Sequence, residues 1–192
     1  MLIALALVAA AVQVLGGGIY IRDTLKGRSQ PNRITWFLWG AAPMIATAIV
    51  VGEGRASWAT LPVFMAGFVP FLTFVASYFN PRAYWRLGTF DYACGVLGLA
   101  SLVVWLVAEE PVTALVMLVV TDGLAALPTI RKAWSHPETE TSAAYYAAMF
   151  SGLAGLANVA EWTTLQYSFP IYLVAVNAVI LYAIHRRRRP GV

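Results

Sequence analysis

Seven stretches of this 192-residue chain are each long and apolar enough to cross a bilayer, and very little lies between them. A spanning α-helix needs roughly 20 mostly apolar residues. Such stretches run over residues 2–22, 33–52, 58–79, 90–108, 111–132, 141–160 and 166–185. The breaks at 26–32, 53–57, 80–89, 109–110, 133–140 and 161–165 are short and polar, and none could hold a soluble domain. Inside hydrocarbon every backbone N–H and C=O must be satisfied within the protein, so runs of this kind fold as helices. The expectation is an all-α membrane protein with seven transmembrane helices. Charged residues make up 11% of the chain, against about 25% in a soluble domain. That is too little charge to cover a water-facing surface. The first stretch, up to Gly18, resembles a signal peptide in its apolar run, but it lacks a positive n-region. It reads as the first membrane helix.

The net charge of +4 could suggest a nucleic-acid ligand, but its distribution argues otherwise. Arg186, Arg187, Arg188 and Arg189 directly follow an apolar helix, and most other basic residues sit in short loops. Arg22, Lys26, Arg28 and Arg33 follow the first helix, Arg82 and Arg86 the third, and Arg131 and Lys132 the fifth. The alternate loops carry Glu53 with Arg55, then Glu109 and Glu110, then Glu161. Basic residues prefer the cytoplasmic side, where they also meet anionic lipids. The N-terminus is therefore expected outside and the C-terminus inside a plasma or inner membrane, an arrangement that requires an odd number of helices. No nucleic-acid partner is expected.

Two segments repeat. Residues 26–31 (Lys-Gly-Arg-Ser-Gln-Pro) resemble 132–137 (Lys-Ala-Trp-Ser-His-Pro), with Lys26, Ser29 and Pro31 matching Lys132, Ser135 and Pro137 at a constant offset of 106. Leu61-Pro62 matches Phe169-Pro170 at an offset of 108. Helices one to three thus resemble helices five to seven, and helix four has no counterpart. Two three-helix units can lie parallel only if one further helix joins them. The chain divides accordingly into a first repeat (1–80), a linker helix (81–110) and a second repeat with a basic tail (111–192). The expected fold is two parallel three-helix bundles joined by an inversion linker helix.

This 3+1+3 pattern resembles the PQ-loop superfamily, which includes the SWEET sugar transporters. The run from Leu127 (Leu-Pro-Thr-Ile-Arg-Lys-Ala-Trp) is similar to that family's Leu-Pro-Gln-Ile-x-Lys-x-Trp signature, with Thr129 where glutamine is usual. In the first half, Arg22 and Asp23 stand at the corresponding place. Asn158 to Trp162 resembles the Asn-x-x-x-Trp segment of the sixth SWEET helix. Asn177 resembles the asparagine of the seventh, where the family binds substrate. The same offset puts Asn177 on Val69, so the first half carries no counterpart. The resemblance implies a small-solute transporter working by alternating access. Sugars, amino acids and vitamin-like solutes are all within the range of related proteins.

Asp122 lies midway along the fifth stretch. An ionisable group at that depth is costly and usually faces a cavity or a partner. It reads as a proton-coupling or substrate-contacting acid, or as a hydrogen-bonding group between helices. Asn177 offers both donors and acceptors to a polar solute, and interhelical bonding is its alternative role. Ser151, Gly155, Asn158 and Trp162 fall on one helical face by spacing and could line a path from the exterior. The other reading of that stripe is close helix packing with an interfacial tryptophan. Gln13, Gly17, Tyr20 and Thr24 share a face of the first helix, and Gly16, Gly17 and Gly18 permit close backbone approach. Gln13 is a candidate for the cavity. Asp23 between Arg22 and Lys26, and Asp91 near Arg86, read as local interface charges. Pro43, Pro62, Pro70, Pro128 and Pro170 kink or end helices and are candidate hinges.

Nothing points to catalysis or a cofactor. Cys94 stands alone in an apolar run, so it reads as a buried free thiol. His136 and His185 have no ligand pattern around them, and no metal is expected. No lysine lies at a helix centre to hold a retinal. The function expected is transport of a small polar solute, with or without proton coupling. A receptor or accessory subunit on the same fold is the alternative, and a homo-oligomer is open to either.

Overall fold

The computed structural model describes residues 2–54 and 60–186. Arg55, Trp58, Arg187, Arg188 and Arg189 lie outside the described residues. The chain forms α1 (Leu2–Leu25), α2 (Arg33–Gly52), α3 (Thr60–Ala76), α4 (Thr89–Val107), α5 (Pro111–Ser135), α6 (Ala143–Ala157) and α7 (Thr164–His185). Short 3-10 turns at Pro81–Ala83 and Pro137–Thr139 precede α4 and α6.

Capping residues set several starts. Asn32 accepts hydrogen bonds from the Ile34 and Thr35 amides at 3.1 and 3.3 Å, opening α2. Glu110 does the same for Val112 and Thr113 ahead of Pro111, at 3.0 and 2.6 Å. These bonds hold the Glu110 carboxyl below its ordinary pKa range, and the anion suits the positive end of α5. Asp91 is bound by the Asn32 amide and the Gly88 N–H, and Asp23 by Arg22 and Arg28. The local ion pair expected for Asp23 thus forms with Arg22, while Lys26 and Arg86 are not among the partners of Asp23 and Asp91.

Five helices (residues 4–25 of α1, and α2, α4, α5 and α7) are long and apolar enough to cross a membrane. The other two are apolar but shorter, α3 with 17 described residues and α6 with 15. A 15-residue helix rises about 22 Å, short of a hydrocarbon core of roughly 30 Å. The expected sixth span was longer. It stops at Ala157, and the capping Asn158 amide shares its hydrogen bond between the carbonyls of Ala154 and Gly155, both at 3.1 Å. Beyond it, Gln166 Oε1 accepts from the Ala160 and Glu161 amides, at 3.1 Å each, and holds the chain in a bend.

Polarity is inverted relative to a soluble protein. Leu15, Val96, Val103 and Val107 are among many exposed large apolar residues, while Thr35, Thr73, Thr121, Thr129, Lys132 and Asn177 are buried. Lipid can solvate the first group, whereas the second needs partners inside the protein. The chain is an all-α, membrane-embedded protein.

In the packing, α3 lies against α1 and α2, and α7 against α5 and α6. The pairs α1–α6 and α2–α5 join these groups, and α4 rests on α5 and α2. Small residues permit the closest approaches. A Cβ on Gly16 would stand 2.5 Å from the Ala147 Cβ and 2.6 Å from the Ala143 carbonyl oxygen. One on Gly67 would stand 2.8 Å from the Met44 nitrogen and 2.9 Å from the Gly40 carbonyl oxygen. Gly17 meets Val69 in the same way, whereas Gly18 faces open space. On α4 the buried residues are Cys94, Gly95, Gly98 and Leu102, a narrow stripe of mostly small side chains. Cys94 is indeed a buried free thiol.

Candidate functional site

A cavity of about 500 Å³ lies among the helices. It extends from the level of Ala6, Pro62, Trp105 and Asn158, near the ends that carry Glu53, Glu109 and Glu161, down to Trp36, Ala144 and Tyr145. Its walls are largely apolar, with alanines from α1, α2 and α6. Apolar walls bearing a few placed polar groups are the usual make-up of a small-molecule site.

Four of the five expected site residues reach this wall: Gln13 from α1, Asp122 from α5, Asn158 at the end of α6, and Asn177 from α7. Trp162 does not. It lies in the α6–α7 connection, is 70% exposed, and packs against Tyr167. The helix that would have carried it to the Ser151 face ends at Ala157, so the i+11 spacing has no helix to act through. Ser151 and Gly155 do line the cavity.

Asp122 sits opposite α7, where the Tyr172 hydroxyl donates to its Oδ2 at 2.7 Å. The Trp39 indole N–H donates to the Asp122 backbone carbonyl at 3.4 Å. Asn177 is 4% exposed and spends one amide hydrogen on the Leu173 carbonyl, at 2.8 Å within its own helix. Ser151 bridges α6 to α1 through Gln13 Oε1 at 3.4 Å. The Asn158 side-chain oxygen is buried and has no hydrogen-bond partner. A buried acceptor left unpaired costs free energy until a donor reaches it.

The floor is aromatic. Trp36, Trp39 and Tyr145 have ring centroids 5.6 to 6.4 Å apart. Tyr20 packs beneath, 4.5 Å from Trp36. Below the rings lies a charged knot. Glu140 Oε2 accepts the hydroxyls of Tyr20 and Tyr145, both at 2.7 Å, and Oε1 pairs with Lys132 Nζ at 2.7 Å. The side chains of Lys132 and Glu140 are 1% and 0% exposed. Lys132 also donates to the Gln30 carbonyl, and the Gln30 amide donates to the Thr139 carbonyl at 2.9 Å. The two similar loops are thereby tied across the molecule, beneath the cavity.

Sequence reasoning left this knot out. Lys132 was legible only as a loop cation and Glu140 only as part of a polar break. Trp36 and Trp39 stood without an assigned role. Thr129, the variant position in the Leu-Pro-Thr run, donates to the Thr35 hydroxyl at 3.0 Å, and Thr35 donates to the Ala125 carbonyl at 2.6 Å. It thus binds α5 to α2. His136 packs on Trp85 with ring centroids 5.3 Å apart, and no group of His, Cys, Asp and Glu among the described residues could hold a metal ion.

No family model, no curated protein and no solved structure matches this chain.

Proposed function

We propose that the protein is a transporter of a small polar solute, of the PQ-loop type, in which two three-helix bundles rock about the central cavity. The observation that carries this reading is the cavity itself. It is roomy, holds Asp122, Asn158, Asn177 and Gln13 together, and ends on a floor of packed rings over a buried ion pair. A site accessible toward one face and sealed toward the other is what alternating access requires of one end state.

The packing supports a repeat. Exchanging α1, α2 and α3 for α5, α6 and α7 turns the α1–α3, α2–α3 and α1–α6 contacts into α5–α7, α6–α7 and α5–α2, all of which occur. Matching positions also meet at the cavity: Trp39 with Tyr145 and Ala42 with Ala148 at an offset of 106, and Val69 with Asn177 at 108. On this reading α4 is the linker. The shorter α3 and α6 cross the bilayer together with the chain that adjoins them, which non-helical backbone can do where it lines a cavity. The basic ends face the cytoplasm and its anionic lipids, and the N-terminus faces outward. Asn177 holds the solute, and Asp122 carries any coupled proton, because the cavity wall has no other carboxylate among the described residues.

Uptake into proteoliposomes tests the proposal. The panel is sugars, amines, amino acids and vitamins, with and without an inward proton gradient. We expect uptake of at least one class, lost in Asn177→Ala. Loss of only the gradient-driven part in Asp122→Asn would assign the coupling. Folded, inserted protein that moves nothing would reject transport in favour of a receptor or accessory subunit.

A further inference from the structure

The chemistry of the cavity wall is lopsided. One carboxylate, Asp122, faces the cavity, and no lysine, arginine or histidine does so among the described residues. The groups that touch Asp122 are neutral: the Tyr172 hydroxyl on its carboxylate and the Trp39 indole on its backbone. The charged pair nearest the cavity, Lys132 with Glu140, is sealed beneath the rings and satisfied there. Among the described residues, nothing in the wall neutralises the carboxylate.

Acceptors open to an added donor are also present. The Asn158 oxygen is buried and unpartnered, and Gln13 Oε1 has only a long contact, 3.4 Å from the Ser151 hydroxyl. The Asn177 amide gives one of its two hydrogens to the Leu173 carbonyl. Trp36 Nε1 is an unpartnered donor, but a neutral and single one. A ligand that brings N–H donors and a positive charge would meet the uncompensated carboxylate, since an ammonium group has three donors and no acceptor.

The rings point the same way. Trp36, Trp39 and Tyr145 converge at the floor within 6.4 Å of one another, and Trp39 also touches Asp122. Faces of tryptophan and tyrosine attract cations, more strongly where water is excluded. The remaining wall is mostly alanine, valine and proline, which suits an apolar body rather than a ring of hydroxyls.

The geometry points to a small amphipathic organic cation as the solute: an ammonium head between Asp122 and the Trp36–Trp39–Tyr145 rings, with an apolar body against the alanine walls. This deepens the transport proposal and rests on the same cavity. It separates amines from sugars, and also from amino acids and other carboxylates. A carboxylate in the ligand would find no cation on the wall and would stand in the same cavity as Asp122.

Three near-isosteric probes test it: phenethylamine, phenethyl alcohol and 3-phenylpropionate. Binding is measured at neutral pH by tryptophan fluorescence on the full chain in nanodiscs, with empty nanodiscs as the partition control. The amine should bind at least about tenfold more tightly than the alcohol, the size of one contact to a charged group, and the anion should bind least. In Asp122→Asn the amine and alcohol should bind within about twofold of each other. Equal affinities of the three probes for the unaltered protein, or a preference for the anion, would overturn the inference whether or not the variant folds. Uptake of the same probes into proteoliposomes is read separately. Amine binding without uptake keeps the cation site and rejects transport. Uptake of a sugar by protein that shows no amine preference keeps transport and rejects the cation site.

Discussion

Lys26 and Lys132 hold matching places in two loops of similar sequence, yet Lys26 is exposed and Lys132 is sealed against Glu140. A lone buried ammonium would be strongly disfavoured. Lys132 is tolerated because Glu140 neutralises it, the Gln30 carbonyl accepts from it, and the Trp85 ring lies 5.3 Å from its nitrogen. Such a pair contributes little net stability, but breaking it by removing one partner leaves an uncompensated charge. Glu140→Gln should therefore destabilise the protein by about 3–5 kcal/mol, read as earlier unfolding in an SDS titration. The paired replacement Lys132→Met with Glu140→Leu should cost less. A Glu140→Gln protein that unfolds no earlier than the unaltered chain would refute this account. The same comparison bears on Tyr20 and Tyr145, whose hydroxyls both depend on Glu140.

Close packing sets how the helices meet. Gly67 on α3 lies over Gly40 and Met44 of α2, where an added Cβ would sit within 3 Å of backbone atoms. Backbone cannot swing aside as a long side chain can, so Gly67→Val should push α2 and α3 apart at a cost of about 1–3 kcal/mol. Gly18 serves as the control. An added side chain there meets nothing within 4 Å, and Gly18→Val should change stability by no more than about 0.5 kcal/mol. Both are measurable in the same unfolding titration, and equal effects at the two positions would show that close approach is not what Gly67 provides. The prolines Pro43, Pro70, Pro128 and Pro170 lie inside α2, α3, α5 and α7. Each removes a backbone hydrogen bond from a helix that borders the cavity.

At the scale of the molecule, the cavity reaches toward the acidic-loop ends and stops at the rings. A thiol on the wall should therefore be reachable from one side. In a Cys94→Ala background, Ala148→Cys should react with a membrane-impermeant maleimide added from the side of Glu53 and Glu109. A bound solute should slow the reaction. Labelling from the opposite side alone would contradict the geometry of the sealed floor. Slow labelling from both sides would report exchange between two end states.

Much of this was legible before any coordinates. Apolar runs separated by short polar breaks determine helices in a membrane, because hydrocarbon leaves the backbone no other partner. Asp122, Asn177, Asn158 and Gln13 stood out as polar groups within such runs, and the fold brings all four to one cavity. Trp162 is not carried to the Ser151 face because α6 ends at Ala157, and apolar spacing alone does not mark where a helix ends. The buried Lys132–Glu140 pair, the ring floor and the role of Thr129 belonged to tertiary structure alone. Lys132 and Glu140 are only eight residues apart, but their burial depends on Tyr20 and Gln30, more than a hundred residues away, and the rings and Thr129 depend on distant helices meeting. A charge in a loop looks the same in sequence whether water or a neighbouring loop surrounds it.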